Sequence, residues 1–214
     1  MLDQSVSKKP TDTQRRGRPR NAELPGVILA AAFAEFSDKG FLAARLDDIA
    51  ARGGIAKGTL YLYFGSKEDL FEAAVRARIV PVIGQVQTLT STHDGPTVDL
   101  LQLVVRVMHA RMATPDVQTL LRILISDGQR FPGLIEFYYR EVVSKMFAIL
   151  EDIVQRGVER GEYPAGAVTR LPAALVAPAL MSAFWQMTFA REHELPPDQF
   201  LDAHLDLIAR ALKP

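Results

Sequence analysis

An all-α fold is predicted for this chain by three observations. Apolar residues recur at helical spacings through most of the sequence, glycine and proline fall at the ends of those runs, and no stretch shows strand alternation, a hairpin signal or an internal repeat. The first element to justify lies between Leu46 and Lys67, LDDIAARGGIAKGTLYLYFGSK. Its spacing is that of two short helices crossing at a tight turn. Ala50 is small where the helices touch, and Gly54 supplies the positive φ of the turn. Ile55 plugs the turn from beneath, and Leu60, on the same side as Ile49 and Ala50, anchors the second helix to the first. Lys57, Thr59, Tyr61 and Tyr63 are left on the outer face, where they can reach phosphates or base edges in a major groove. A helical hairpin inside an unrelated protein would share this bare spacing, so the flanking residues decide.

Downstream, Ser66 and Asp69 form a capping pair for a helix running from Lys67 into the Val80-Pro81 region, with Leu70, Phe71, Ala74 and Val75 as its buried face. Pro81 and Gly84 are expected to kink or end it, and Thr90 to Pro96 reads as a loop. Further helices are predicted over Val98–Ala113, Asp116–Ser126, Pro132–Arg160, Ala167–Arg191 and Pro197–Leu212. Gly161 and Pro164 close the long third one.

Charge is distributed unevenly although the chain as a whole is neutral. Residues 1–67 carry 11 Lys and Arg against 7 Asp and Glu, and the remainder carries 14 against 18. The basic part is the part with the helix-turn-helix, which suits a DNA-facing end. Arg15, Arg16, Arg18 and Arg20 flank Gly17 and Pro19 in a segment too polar to pack, expected to be a disordered basic arm over residues 1–22. It serves either as an arm in an A/T-rich minor groove or as a solvated tail that raises non-specific attraction to DNA.

Several functions are excluded or left without support. With no cysteine there is no disulfide, thiolate metal site or cysteine nucleophile. Histidines 93, 109, 193 and 204 lack metal-ligand spacing, and phosphate-binding glycine loops and a Gly-x-Ser-x-Gly elbow are missing. The expectation is therefore a non-enzyme without cofactor or metal. No apolar run reaches the ~20 residues of a membrane span, and the first residues do not form a secretory signal, so a cytoplasmic location is expected.

At this point a family resemblance becomes visible. Asp48-Ile49-Ala50, then Gly54 through Phe64, then Ser66-Lys67-Glu68-Asp69-Leu70 resemble the DNA-binding signature of TetR-type transcriptional regulators, and Val27 to Phe41 resembles that family's first helix. The resemblance implies a three-helix DNA-binding domain over residues 23–67 and a helical effector-binding and dimerisation domain over 68–214. It implies DNA contacts from Lys57, Gly58, Thr59, Tyr61, Tyr63 and Lys67, to which the charge of the basic arm adds Arg18 and Arg20 and a charged side chain before the first short helix adds Arg45. Two positions depart from the pattern. Arg45 and Ala56 stand where many relatives place a Ser or Thr before a helix, and Asp47 is a candidate late cap for the first of them.

The resemblance further implies a repressor that binds a palindromic double-stranded DNA operator as a homodimer and is released by a small hydrophobic effector. The alternative is a regulator whose C-terminal domain docks a protein partner. A dimer interface is expected from two stripes, one with Ala173, Ala177, Leu180, Phe184 and Met187 and one with Leu201, Leu205, Ile208 and Leu212. Periodicity alone fits burial in the monomer equally well. Met108, Met112, Phe137, Met181 and Trp185 are candidate linings of an effector cavity, with His109 and Arg122 as polar contacts. Each of these also suits ordinary core packing, and for His109 a hydrogen bond to a neighbouring helix is the plain reading.

Overall fold

The computed structural model describes residues 23–213, which are helical throughout with no strand among them. The arm with Arg18 and Arg20 lies outside the described residues.

Three helices make the N-terminal head: α1 (Leu24–Ala43), α2 (Leu46–Arg52) and α3 (Lys57–Tyr63). Gly40, at φ +75, breaks the last turn of α1 and folds Phe41 back into the core, where its ring meets Phe36, Phe71 and Phe131. Ile28, Ala32, Ile49, Ala50 and Leu60 complete this core.

The head is followed by α4 (Lys67–Arg78), whose Ser66 hydroxyl accepts the Asp69 N–H at 3.0 Å, the cap expected from sequence. The chain breaks at Ile79 and resumes as α5 (Val80–Ser91). Pro81 therefore starts a helix, since its missing N–H costs nothing in a first turn, and Gly84 sits inside α5 without ending it. Next come α6 (Thr97–Met112), α7 (Pro115–Asp127) and α8 (Pro132–Tyr138). A wide π-helical turn over Tyr139–Val143 joins α8 to α9 (Ser144–Glu159), so the long helix expected from Pro132 to Arg160 carries one extra residue in its middle. Gly161, at φ +70, ends it. The segment expected as one helix from Ala167 to Arg191 is interrupted at Leu171-Pro172, giving α10 (Ala167–Arg170) and α11 (Ala173–Thr188) before α12 (Pro197–Ala211).

Helix α6 runs among the helices beyond α4 and packs on α9, α11 and α12, while α1 rests on α4 and α7. One continuous apolar core therefore joins head to body.

Candidate nucleic-acid interface and effector cavity

The turn between α2 and α3 is built as the spacing requires. Gly54 adopts φ +63, the Ile55 N–H donates to the Ala50 carbonyl at 3.0 Å, and Leu60 is fully buried against α2. Arg45 and Ala56 occupy the N-cap positions of α2 and α3 with extended backbone, and neither side chain caps. Asp47, the candidate late cap, turns instead toward Lys57, whose Nζ lies 2.7 Å from its Oδ2. Asp47 and Asp48 still favour the positive N-terminal end of α2 through their charge.

On the outer side of α3, Lys57, Gly58, Tyr61 and Tyr63 are exposed and Thr59 is half-buried. The hydrogen bond to Asp47 raises the Lys57 pKa, so the ammonium stays charged, and it lies 5.8 Å from the centre of the Tyr61 ring. Leu62, which the outer-face reading omits, is 86% exposed. Lys67 is committed elsewhere in the structure. Its Nζ donates to the Phe41 and Leu42 carbonyls at 2.8 and 2.9 Å and lies over the Phe41 ring, bracing the end of α1 against α4.

Sequence reasoning also missed Glu35. It is buried in α1, where it receives Arg52 at 3.0 Å and Lys39 at 2.6 Å and so ties α2 to α1. The helical pattern assigns it to the core face, and a charge there is the signal that a partner must exist.

Among the cavities of the helices beyond α4, two adjoin the sequence-predicted effector residues. An apolar one of about 200 Å³ lies among α5, α6, α7, the π-helical turn, α9 and α11, with Met108, Met112, Tyr138, Val142, Met146 and Phe147 in its wall. Burial pushes the Tyr138 phenol up to about 12. The wide turn is what presents Val142 and Val143 together to this space. A second cavity of about 320 Å³ lies among α6, α7, α11 and α12, lined by Arg106, His109, Gln118, Ser182, Gln186 and Asp198, with Met112 shared between the two.

His109 has the partner that its apolar face demands. Its Nε2 lies 2.9 Å from His204 Nδ1, and His204 Nε2 lies 2.7 Å from the Leu175 carbonyl oxygen. The carbonyl can only accept, so His204 carries its proton on Nε2, His204 Nδ1 accepts, and His109 donates from Nε2.

The remaining candidate linings are placed elsewhere. Arg122 projects from the exposed side of α7 and lines neither cavity. Phe137 is buried core with the Arg76 guanidinium 4.6 Å from its ring centre, because α8 turns that face toward α4. Met181 is exposed on α11, and Trp185 is held at that helix's end by donating its Nε1–H to the His193 carbonyl at 2.8 Å.

The two stripes expected at a dimer interface part company. Along α11, Ala177, Leu180 and Phe184 are exposed and Ala173 is half-buried. On α12, Leu205 and Ile208 are buried and Leu201 half-buried, because that stripe packs on α6 and α11 of its own chain. The opposite side of α12 shows Ala203 and Leu207 to solvent.

A helix-turn-helix head, continuous through α4 with a helical domain that encloses an apolar cavity, defines a DNA-binding regulator of transcription. Comparison with known proteins specifies the family. Residues 28–74 match the model for bacterial regulatory proteins of the tetR family, and residues 94–208 match the tetracyclin repressor-like C-terminal domain. The chain belongs to the TetR family.

Relatives include the transcriptional activator FasR of Mycolicibacterium smegmatis, 39% identical over 91 residues that make up 41% of each chain. The transcriptional repressor KstR2 of the same organism is 30% identical over 71% of each chain. In fold the chain is similar to FadR of Bacillus subtilis, solved in complex with stearoyl-CoA, at TM-score 0.72, 19% identity, and coverage of 88% of this chain and 99% of that one.

Proposed function

We propose that this regulator is a ligand-responsive repressor that binds a near-palindromic operator as a homodimer and leaves it when a small apolar effector enters the cavity lined by Met108 and Met112. The observation that carries the reading is the conjunction of two surfaces: an outward α3 face with Lys57, Thr59, Tyr61 and Tyr63, and an apolar cavity whose wall includes Ile79, at the break after α4. In this reading Thr59 and Gly58 approach bases and phosphate, and Tyr61, Tyr63 and Lys57 line the groove. Arg45 replaces a hydroxyl contact with a charged one, and Arg18 and Arg20 add charge from the arm. Lys67 reaches phosphate only by sharing its hold on the Phe41 and Leu42 carbonyls.

The exposed face of α11 with Ala177, Leu180 and Phe184, joined by Leu207 of α12, pairs with its copy around a two-fold axis. Two α3 helices then read half-sites about one DNA turn apart. An effector that prefers a dimer with mis-spaced α3 helices weakens operator binding by the same differential free energy.

A gel shift on DNA upstream of the chain's own gene, at two salt concentrations, tests the first half: binding weakens with salt by the slope expected for several phosphate contacts. A thermal-shift screen of small apolar compounds tests the second, since a ligand of the native state raises the melting temperature. Operator affinity indifferent to every compound that binds would refute ligand response.

A further inference from the structure

We infer that Arg111 is an oxyanion-reading switch: the apolar cavity takes a hydrocarbon chain of medium length ending in a carboxylate or phosphate, and Arg111 exchanges its hold on the end of α4 for that head group. The inference rests on the proposed reading of this cavity as the effector site and adds the class of effector and the atom that senses it.

Three observations converge on this residue. Among the described residues that line the apolar cavity, Arg111 is the one charged side chain. Its Nη2–H donates to the Arg78 carbonyl at 3.1 Å, and Arg78 is the last residue of α4, where a helix leaves its carbonyls without intrahelical partners. The Arg78 guanidinium in turn reaches Asp116 of α7 at 3.2 Å and lies 5.7 Å from the centre of the Phe33 ring in α1. One arginine therefore lines the ligand space with its hydrocarbon stem and holds, with a guanidinium that faces solvent at the rim, the end of the helix that carries the helix-turn-helix head. Ile79, the residue at the break, lines the same space.

The chemistry favours an anion. The carbonyl gives Arg111 a neutral acceptor, whereas a carboxylate or phosphate offers charge-assisted, bidentate bonds. The apolar wall penalises an anion inside it, so the head group stays at the open rim, where Arg111 is the cation within reach, while the chain fills the space among Met108, Met112, Met146 and Phe147. At about 200 Å³ the cavity is smaller than the ~300–1,000 Å³ of drug-sized sites, which suits a chain of medium length. When the head group captures Arg111, the Arg78 carbonyl loses its donor and the end of α4 is freed.

Isothermal titration of the full chain with octanoate, octyl phosphate and octanol tests this. Wild-type protein is expected to bind at least one anion about tenfold more tightly than octanol, a typical gain for a hydrogen bond to a charged group. Arg111→Met is expected to abolish that preference while keeping octanol affinity. Hydrogen exchange over residues 76–83 is expected to speed up with the preferred anion and not with octanol, a change that packing alone would not produce. Should Arg111→Met also lose octanol binding, Arg111→Lys decides: it keeps the charge without the fork, and the preference should fall severalfold. Octanol binding with no anion preference in the wild type, or a preference surviving in both variants, overturns the role of Arg111 and leaves the cavity as an effector site. Failure of all three compounds to bind overturns the cavity reading itself, and this inference with it.

Discussion

The Nε–H of Arg52 donates to the Glu35 carboxylate at 3.0 Å, fastening the end of α2 to the middle of α1 beneath the helix-turn-helix. Arg52 extends the link to Asp38 at 2.6 Å, and Lys39 joins Glu35 to Asp48. The carboxylate is buried while its two cations reach solvent, so removing it leaves cations that water can still hydrate. Glu35→Ala is therefore expected to cost about 1–3 kcal/mol rather than the larger penalty of a stranded buried ion. Urea denaturation with the midpoint unchanged would show that the link contributes nothing.

Lys57 is held by Asp47 at 2.7 Å, so in the proposed reading a DNA phosphate competes with that carboxylate for the ammonium. Lys57→Met is expected to weaken binding across all sequences and reduce the salt slope by about 1. Asp47→Asn should act in the opposite direction, because it removes both the competitor for the ammonium and a like charge facing the phosphates. Gel shifts over a salt series read both, and identical slopes in the three proteins would place Lys57 away from DNA.

On α12 and α11, the buried stripe and the exposed stripe are expected to respond differently to substitution. Leu205→Ala, in the monomer core, is expected to cost about 2–5 kcal/mol and leave the oligomeric state unchanged. Ala177→Glu and Phe184→Glu, on the exposed face of α11 and outside the wall of the apolar cavity, are expected to yield monomers with little loss of monomer packing and much weaker operator binding. Sedimentation velocity separates the outcomes, and dimers persisting in both Glu variants would move the interface elsewhere.

The α12 case shows what periodicity can and cannot say. A stripe at i, i+4, i+7 establishes that Leu201, Leu205 and Ile208 share a buried face, but the same stripe fits a partner helix of either chain. The helix-turn-helix was legible because its determinants are local: Gly54 needs positive φ and Ala50 needs to be small, whatever the rest of the molecule does. The effector candidates were legible only as residue types. Met108 and Met112 line a cavity while Phe137 fills core, and that difference depends on the break at Ile79 and the extra residue at Tyr139–Val143. Arg111 carried no sequence signal, since one arginine on a helix reads as a solvated charge until its neighbours are known.

The chain of hydrogen bonds from His109 through His204 to Leu175 makes stability depend on pH in a stated direction. Burial lowers the pKa of His204 despite the Leu175 carbonyl, and burial together with the neighbouring His204 lowers that of His109. Both groups start from an ordinary value of 6.5, so as pH falls the unfolded chain takes up protons before the folded one does. Stability is then fully present above the unfolded value and is lost as pH drops below about 6.5 toward the lower folded values. Protonation would also break the relay, because His204 Nδ1 could no longer accept from His109. Thermal melts between pH 8 and pH 5 are expected to show a falling melting temperature over the lower half of that range. His109→Gln keeps a donor toward His204 without an imidazole to titrate, so its decline should be shallower than that of the wild type. Parallel curves for the two proteins would mean that His109 titrates alike in the folded and unfolded chain, and that the pair does not set the acid limit.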